Sequence, residues 1–355
     1  MDISASPLST ETLGKPQDWF KHIVIVRSDV QREFFPTDDA YMSEVECIVR
    51  SEHVKRELEK LGVKTSILVA NASLMENLNR VKPDLCINFV DSIRGSAPMS
   101  AGIPGIFDLL GIPYVGAGTL ALSLNSNKYL TKSLLKTWHL PTPQYQLLRS
   151  VHQELDYDLR FPLIAKLNEE HGSVGISDHS VVTNEKELRD QVHFLMTAYK
   201  QPVLIEEYIE DARELTAVVL ESQNTKVFLS ERAYELAPGK FKAVTFETKW
   251  ATDLGKTEPI EYIQYKDPEG KISAKIKDDA RKAFEILKMD DIGRFDVMLD
   301  KYNNYYIIDC NANPSLGPES SIARTAAANN QDFLKVLSHI LKRNMLDQKT
   351  KLDHA

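Results

Sequence analysis

Short apolar runs alternate with helix-like stretches over the first third of the chain. The apolar runs lie at residues 22–26, 66–69 and 85–90. Runs of this length between polar segments are typical of buried strands. Between the first two runs, Ser43 and Glu46 have the spacing of a helix capping box and Gly62 supplies a stop, and a shorter helix is predicted from Ser73. This alternation predicts a parallel sheet with crossover helices over residues 19–117.

After residue 117 the pattern changes to a mixture of helices and strands. Helices are predicted around residues 130–135, at 184–199 and at 272–288, and two short helices close the chain. Strands are predicted at 162–166, 203–205, 214–220, 226–230, 293–299 and 305–309. The chain is therefore expected to combine α/β and α+β architecture in three domains after a loose tail. The tail covers residues 1–18, and the domains span residues 19–117, 118–204 and 205–345.

Composition narrows the functional class. The 355 residues include 51 acidic and 43 basic ones, and the sequence pI of about 5.7 argues against a dedicated nucleic-acid-binding protein. No apolar run approaches the roughly 18 residues of a membrane helix, and the polar first 20 residues lack the apolar core of a secretory signal. The three cysteines, Cys47, Cys86 and Cys310, have neither disulfide nor zinc-site spacing. We therefore expect a cytoplasmic protein that binds neither nucleic acid nor membrane.

Two predicted strands near the end of the chain carry acidic and amide side chains. Asp296 follows Arg294 on the first strand, and Asp309 and Asn311 share a face at the end of the second, because strand side chains alternate between faces. An Asn-Asn pair between the strands favours a hairpin that brings the two acids and Asn311 together. Two carboxylates and an amide oxygen suit Mg²⁺. For any single acid, a solvated hairpin face is the alternative.

Lysines give a second signal. Lys166 ends an apolar strand, where a cation usually needs an anionic partner. Lys128, taken alone, is typical of a solvated surface charge, and Lys249 lies beside Trp250 without a distinctive context. Only Lys166 therefore indicates a buried site by itself.

Weaker signals follow Lys166 along the chain. The loop 171–175 offers backbone N–H groups that suit phosphates, although a two-glycine loop is by itself more typical of a hairpin turn. The strand residues 203–209 offer backbone groups to an adenine ring, and Glu214 offers a carboxylate to ribose hydroxyls. Each of these signals is weak alone.

A loose dinucleotide-binding pattern occurs at residues 116–121. No acidic residue follows roughly 20 positions later, as such a site requires, and the chain has no Walker A sequence. We interpret these glycines as a structural turn between two domains.

In order and spacing these pieces resemble the ATP-grasp superfamily, in particular its D-alanine–D-alanine ligase-like branch. The most specific stretches are 111–116 leading to Lys128, the loop 172–175, Arg294 with Asp296, and Asp309 with Asn311. The resemblance covers residues 84–330 and implies a three-domain fold that holds ATP between the central and C-terminal domains.

The resemblance also implies roles for individual residues. The residues expected to bind ATP are Lys128, Lys166, Ser173, Val174, Glu206, Tyr208, Ile209 and Glu214. The residues expected to hold Mg²⁺ are Asp296, Asp309 and Asn311. Arg294 and Lys249 are the expected catalytic residues, and the expected substrate contacts are Ser320, Trp250 and Gly172.

What the resemblance implies for function is an ATP- and Mg²⁺-dependent ligase that forms a C–N bond with an amino acid's amine through a phosphorylated substrate. The first βα loop lacks the Gly-rich turn and the Glu that bind the first D-alanine in D-alanine–D-alanine ligases. Gly172 and Trp250 stand where those ligases have Ser and Tyr. These departures favour a natural-product ligase, such as one that makes mycosporine-like amino acids.

Several alternatives remain open at this point. One is a D-alanine–D-alanine or other dipeptide ligase, in which Glu33, Asp38 or Asp39 of the loop supplies the lost carboxylate. Another is a non-catalytic nucleotide-binding regulatory protein on the same fold. The oligomeric state is also open, with a homodimer as one option.

Overall fold

The computed structural model describes residues 15–234 and 260–353 of the protein. Within these ranges the named strands form three sheets of four, five and four strands. Part of the expected N-terminal tail is ordered, because Pro16–Trp19 forms a short helix, α1, whose Asp18 carboxylate accepts a hydrogen bond from the Lys15 N–H at 2.8 Å. No helix of the described ranges has the length and apolar character needed to span a membrane.

The first sheet is parallel, as predicted. Its strands are β1 (His22–Ser28), β2 (Lys64–Ala70), β3 (Leu85–Phe89) and β4 (Tyr114–Val115), in the order β2-β1-β3-β4. Its helices are α2 (Asp38–Lys60), α3 (Leu74–Val81) and α4 (Gly102–Leu110). The central strands β1 and β3 are apolar on both faces because each face is covered by protein.

The start of α2 differs from the prediction. The helix begins at Asp38 rather than near Ser43, because Thr37 caps it by accepting a hydrogen bond from the Ala40 N–H at 3.2 Å. Two acidic residues in the first turn add a favourable interaction with the helix dipole. Ser43 therefore lies inside the helix.

The second sheet is antiparallel. Its strands are β5 (Tyr145–Leu148), β6 (Leu163–Leu167), β7 (Val181–Val182) and β8 (Val203–Glu207), in the order β5-β8-β6-β7. The neighbouring helices are α5 (Thr119–Asn125), α6 (Lys128–Thr137) and α7 (Glu185–Tyr199). The predicted cap of α7 is confirmed, since the Asn184 side chain accepts a hydrogen bond from the Glu187 N–H at 3.0 Å. The predicted domain boundary at 204/205 falls inside β8.

The third sheet has five antiparallel strands. They are β9 (Arg213–Leu220), β10 (Lys226–Ala233), β11 (Glu261–Gln264), β12 (Ile292–Leu299) and β13 (Tyr305–Asn311), in the order β11-β10-β9-β12-β13. The helices of this part are α8 (Lys271–Ile286), α9 (Ser321–Ala328) and α10 (Phe333–Asp353). One face of the sheet packs on α9 and α10 in a core shared with the first sheet, and the other face packs on α5, α6 and α8. The predicted mixture of α/β and α+β parts is confirmed.

A buried carboxylate joins distant parts of the chain next to the third sheet. Asp291 accepts hydrogen bonds from the Gly116 N–H at 2.9 Å and from the Asn344 side chain at 2.8 Å, and it forms an ion pair with Arg343 at 2.6 Å. Burial raises the pKa of its carboxyl to about 6, and Arg343 opposes that shift. The turn at Gly116 is therefore a structural one, as the sequence indicated.

We expect Asp291→Ala to destabilise the protein, because the substitution removes the acceptor of the Gly116 and Asn344 hydrogen bonds and one of the three carboxylates that pair with Arg343. Breaking a buried pair of this kind costs roughly 3 kcal/mol, which corresponds to a fall of about 4 °C in Tm for a chain of this length. Thermal unfolding followed by circular dichroism measures the change. The control is Asp190→Ala, which removes an exposed pair with Lys186 and should leave Tm unchanged.

Candidate active site

A cleft of about 920 Å³, part of it open to solvent, lies between the second and third sheets. It is lined by eleven of the residues singled out from the sequence: Lys128, Lys166, Gly172, Ser173, Val174, Glu206, Tyr208, Ile209, Glu214, Asp296 and Asp309. Arg294, Asn311 and Ser320 lie beside the cleft rather than in its lining, as their contacts show below. Lys249 and Trp250 lie outside the described residues.

Apolar side chains from both sheets line part of the cleft. Ile164 of β6 comes from the second sheet, and Met298 of β12 and Ile308 of β13 come from the third. Such a slot suits a flat aromatic ring, because apolar surfaces cover both of its faces while polar groups contact its edge.

The polar edge of this slot is formed by Glu206, which is 1% exposed. One carboxylate oxygen, Oε2, lies 3.2 Å from the Nζ atoms of both Lys132 and Lys166. The anionic partner predicted for Lys166 is therefore present. The other oxygen, Oε1, is buried without a hydrogen-bond partner. A buried acceptor without a partner is costly, so this atom suits a ligand that donates a hydrogen bond.

The backbone after Glu206 is only partly free for a ligand. The Tyr208 N–H donates to the Pro162 carbonyl at 2.9 Å, so it is already used inside the second sheet. Of the two hinge residues predicted from the sequence, Ile209 is the one whose N–H is better suited to a base.

Lys132 was missed by the sequence analysis. It lies four residues after Lys128 and therefore on the same face of α6, and it is 3% exposed. Its Nζ also donates to the Thr142 hydroxyl at 3.0 Å. Burial lowers the pKa of Lys132, and the Glu206 carboxylate acts in the opposite direction. The spacing of the two lysines was the available signal, but a polar helix face offers many such pairs.

The predicted metal site is assembled by the hairpin of β12 and β13. Asp296 stands directly opposite Asp309, and Arg294 stands opposite Asn311, with a bulge immediately after Asp296. Cross-strand partners lie on the same face, so the two carboxylates are neighbours. Burial opposes ionisation of Asp309, but the charges of Lys128 and Arg294 outweigh it and hold the pKa of this carboxyl below its usual range.

Two of the three predicted ligands, Asp296 and Asn311, already have protein partners. Asp296 binds Arg294 through Oδ2 at 3.1 Å, and the Asn311 side-chain oxygen accepts from the Asn313 N–H at 2.9 Å. Among the described residues there is no cluster of three or more His, Cys, Asp or Glu side chains. The donor set is thus the two acids and one amide, a hard-oxygen set that fits Mg²⁺ shared with phosphates.

The loop between β6 and β7 forms the lid-like side of the cleft. Gly172, Ser173 and Gly175 all have positive φ angles, of 67°, 64° and 75°. The positive φ favours glycine at 175, and a Cβ there would lie 2.9 Å from the end of the Leu167 side chain, which would have to shift. Lys128 Nζ donates to the Glu170 carbonyl and ties this loop to α6. The loop is therefore both a strand connection and part of the cleft, so the two sequence interpretations are compatible.

Ser320 caps α9. Its hydroxyl donates to the Gly317 carbonyl at 2.7 Å and accepts from the Ala323 N–H at 3.2 Å. Arg294 contacts the hydroxyl of the next residue, Ser321, at 3.3 Å. Arg294 and the N-terminus of α9 are thus neighbours next to Asp296.

A second polar cluster lies where β1 and β3 end in the first sheet. Glu44 of α2 is 8% exposed and accepts a hydrogen bond from the Ser92 hydroxyl at 2.9 Å. Burial, and then the nearby Asp91, raises the pKa of Glu44 to about 7. The chain reverses its strand order between β1 and β3, which is where parallel sheets bind ligands. Sequence analysis considered Glu33, Asp38 and Asp39 and missed Glu44, because its partner Ser92 lies 48 residues away along the chain.

Comparison with known proteins identifies the family of the chain. A family model described as "D-ala D-ala ligase C-terminus" matches residues 134–342, which is more than half of the chain. The chain belongs to this D-Ala-D-Ala ligase family. Together with the fold, membership makes it an ATP-dependent ligase of the ATP-grasp type, with ATP and Mg²⁺ as its cofactors.

The similarity to individual relatives extends over most of the chain. An uncharacterized protein of Sinorhizobium fredii is 26% identical over 82% of this chain and 86% of its own length. A D-alanine–D-alanine ligase of Carboxydothermus hydrogenoformans is 26% identical over 79% of this chain and 93% of its own. The crystal structure of a D-alanine–D-alanine ligase from Bacillus anthracis, complexed with ATP, matches with a TM-score of 0.67 and 18% identity over 93% of this chain and 99% of its own. The last comparison confirms the predicted ATP-grasp fold.

We expect Lys132→Met to weaken ADP binding about tenfold or more. Without Lys132, Lys166 becomes the remaining cation beside the buried Glu206 carboxylate, and its charge is then less available to phosphates. Isothermal titration calorimetry with ADP measures the loss. Lys136→Met is the matched control, since Lys136 lies one turn further on α6 and is exposed, and its polar contacts among the described residues are with Gln144 and the Tyr145 ring. Equal ADP affinities of the two variants would contradict the role given to Lys132.

Proposed function

We propose that this ligase joins the carboxylate of one substrate to the amine of an amino acid, as a dipeptide ligase does. The observation that carries the proposal is the cleft itself. It has an unpartnered acceptor, Glu206 Oε1, at one end and the paired carboxylates of Asp296 and Asp309 at the other. An adenine amino group can donate to Glu206 Oε1, and phosphates bound to a metal ion suit the Asp296 and Asp309 carboxylates.

The residues of the cleft divide into three roles in this proposal. Lys128, Lys166 and the backbone of the 172–175 loop hold phosphate oxygens, and Glu206 and Glu214 hold the base and the ribose. Asp296, Asp309 and Asn311 hold Mg²⁺. ATP, when bound, supplies the phosphoryl group that activates the carboxylate. Catalysis then depends mainly on positioning and on charge stabilisation.

Arg294 is proposed to stabilise charge that develops at the reacting carbon. It lies between Asp296 and Ser321 at the start of α9. From there its guanidinium can face both the metal ligand and a substrate held near the cap residue Ser320. Fixed donors aimed at developing charge typically lower the barrier by several kcal/mol.

The amine-containing substrate is proposed to be an amino acid, and the names of the relatives support this. Several relatives are D-alanine–D-alanine ligases, so the dipeptide alternative is better supported than the natural-product ligase that the sequence favoured. Glu44 adds support, because it offers a buried carboxylate to the ammonium of a first amino acid. The absence of a side chain at Gly172 leaves room for a substrate larger than alanine.

Asp296→Asn and Asp309→Asn should each abolish turnover. Each substitution removes half of the negative charge available to Mg²⁺ and leaves the phosphate charge poorly neutralised. The measurement is ADP release at saturating Mg²⁺ with the best substrate pair. Asp300→Asn, in the exposed turn of the same hairpin, serves as the control and should retain activity. Near-normal activity of both cleft variants would remove the metal assignment.

The substrate class is tested by ADP release with D- and L-amino acids offered singly and in pairs, with mass spectrometry of the product. We expect substrate-dependent ADP release and a dipeptide. Glu44→Gln should then raise the KM of the first amino acid about tenfold, as expected for a lost charged hydrogen bond. Glu52→Gln on the exposed side of α2 should not. ADP release only with a cyclohexenone and an amino acid would favour the natural-product alternative, and no release with any pair would favour a regulatory protein.

A further inference from the structure

An arginine outside the expected set of site residues lies in the floor of the cleft. Arg232 of β10 stands directly opposite Glu214 of β9 and is 7% exposed. Its Nη1 lies 2.6 Å from Glu214 Oε1, and its Nη2 lies 2.9 Å from Asp296 Oδ1 on β12. One guanidinium therefore bridges the proposed ribose ligand and a proposed metal ligand, which belong to different strands.

We propose that Arg232 is a positioning residue that couples nucleotide binding to metal binding by holding Glu214 and Asp296 in a fixed relation. The inference rests on the proposed function, because it takes Glu214 as the ribose ligand and Asp296 as a metal ligand. Arg232 is assigned no contact with substrate. It acts only through the two carboxylates.

The bonding pattern supports a bridge rather than a simple charge balance. In each acid, one carboxylate oxygen pairs with Arg232 and the other oxygen has a different partner. Glu214 Oε2 accepts from the Tyr234 hydroxyl at 2.8 Å, and Asp296 Oδ2 pairs with Arg294. Arg232 fixes the near oxygen of each acid and thereby sets the direction of the far one. A planar guanidinium can serve two acids at once because its N–H groups point in fixed directions, whereas an ammonium cannot reproduce that fork.

The surroundings hold the guanidinium in this place. The ring of Tyr262 on β11 lies 5.6 Å from its centre, within range of a cation–π contact. Both acids are buried, so loss of the guanidinium would leave two carboxylates without this counter-charge. Asp296 would then depend on Arg294 alone among the residues that the structure pairs with it.

The test uses Arg232→Lys in the full-length protein and two binding measurements that need no turnover. The first is the affinity for Mn²⁺ in the presence of ADP, followed by electron paramagnetic resonance. The second is the ratio of affinities for ADP and for 2′,3′-dideoxyadenosine diphosphate, measured by calorimetry. Loss of an outer partner of a metal ligand typically costs 10–100-fold in metal affinity, so we expect Mn²⁺ to bind at least about tenfold more weakly. The preference for the ribose hydroxyls should fall by a similar factor.

The same two strands provide a matched control. Arg213 of β9 pairs with Glu231 of β10 at 2.5 Å, outside the lining of the cleft. Arg213→Lys makes the same chemical change on the same strands, and it should leave both binding measurements at wild-type values. Wild-type values for Arg232→Lys would overturn the inference, and so would a lower Tm with unchanged binding.

A second variant keeps Arg232 and tests the coupling directly. In Glu214→Gln the guanidinium loses its ion pair on β9 and holds Asp296 in a less fixed position, so Mn²⁺ binding should weaken severalfold, although Glu214 is not a metal ligand. Unchanged Mn²⁺ affinity in this variant would also overturn the coupling. Failure of the proposed function would look different, since it would appear as another product, or as no ADP release, with the wild-type protein, whereas the two binding measurements need no turnover.

Discussion

The charge of two neighbouring carboxylates is the constraint on which the rest of the site depends. Asp296 and Asp309 are cross-strand partners on β12 and β13, and Asp296 is buried, so their like charges repel strongly where water is scarce. Cations surround them on several sides, with Arg232 and Arg294 on Asp296 and the charges of Lys128 and Arg294 acting on Asp309. The strands can keep both acids in place before any metal arrives because these cations come from β10, β12 and α6.

The same principle operates at the other end of the cleft. Glu206 is buried between Lys132 and Lys166, and two cations for one acid leave a surplus of positive charge. A nucleotide carries a net negative charge, so its charge and the positive charge of the cleft neutralise each other. A polar cleft of this kind remains stable without ligand only because each buried charge has a fixed partner.

Sequence reasoning located the parts of this site that are local in the chain. The hairpin of β12 and β13 follows from alternation and a turn, and Lys166 stood out because it interrupts an apolar strand. Arg232, Lys132 and Glu44 were not located, because their meaning depends on which distant segment packs against them. A buried arginine and a surface arginine look alike in a strand whose neighbours are unknown. The start of α2 was misplaced because a second capping signal, at Thr37, lay upstream of the one considered.

The contacts of Asp291 have a consequence for where the cleft lies. The first and third sheets share one continuous core with α9 and α10, and Asp291 fastens the turn at Gly116 to the last helix. The second sheet has its own core, which meets α2 and the loop before it through few side chains, among them Phe35 and Ala40. The first and third sheets therefore share one core, and the second sheet has another. The cleft runs along the boundary between them, so a ligand bound there contacts Ile164 on one side and Met298 and Ile308 on the other.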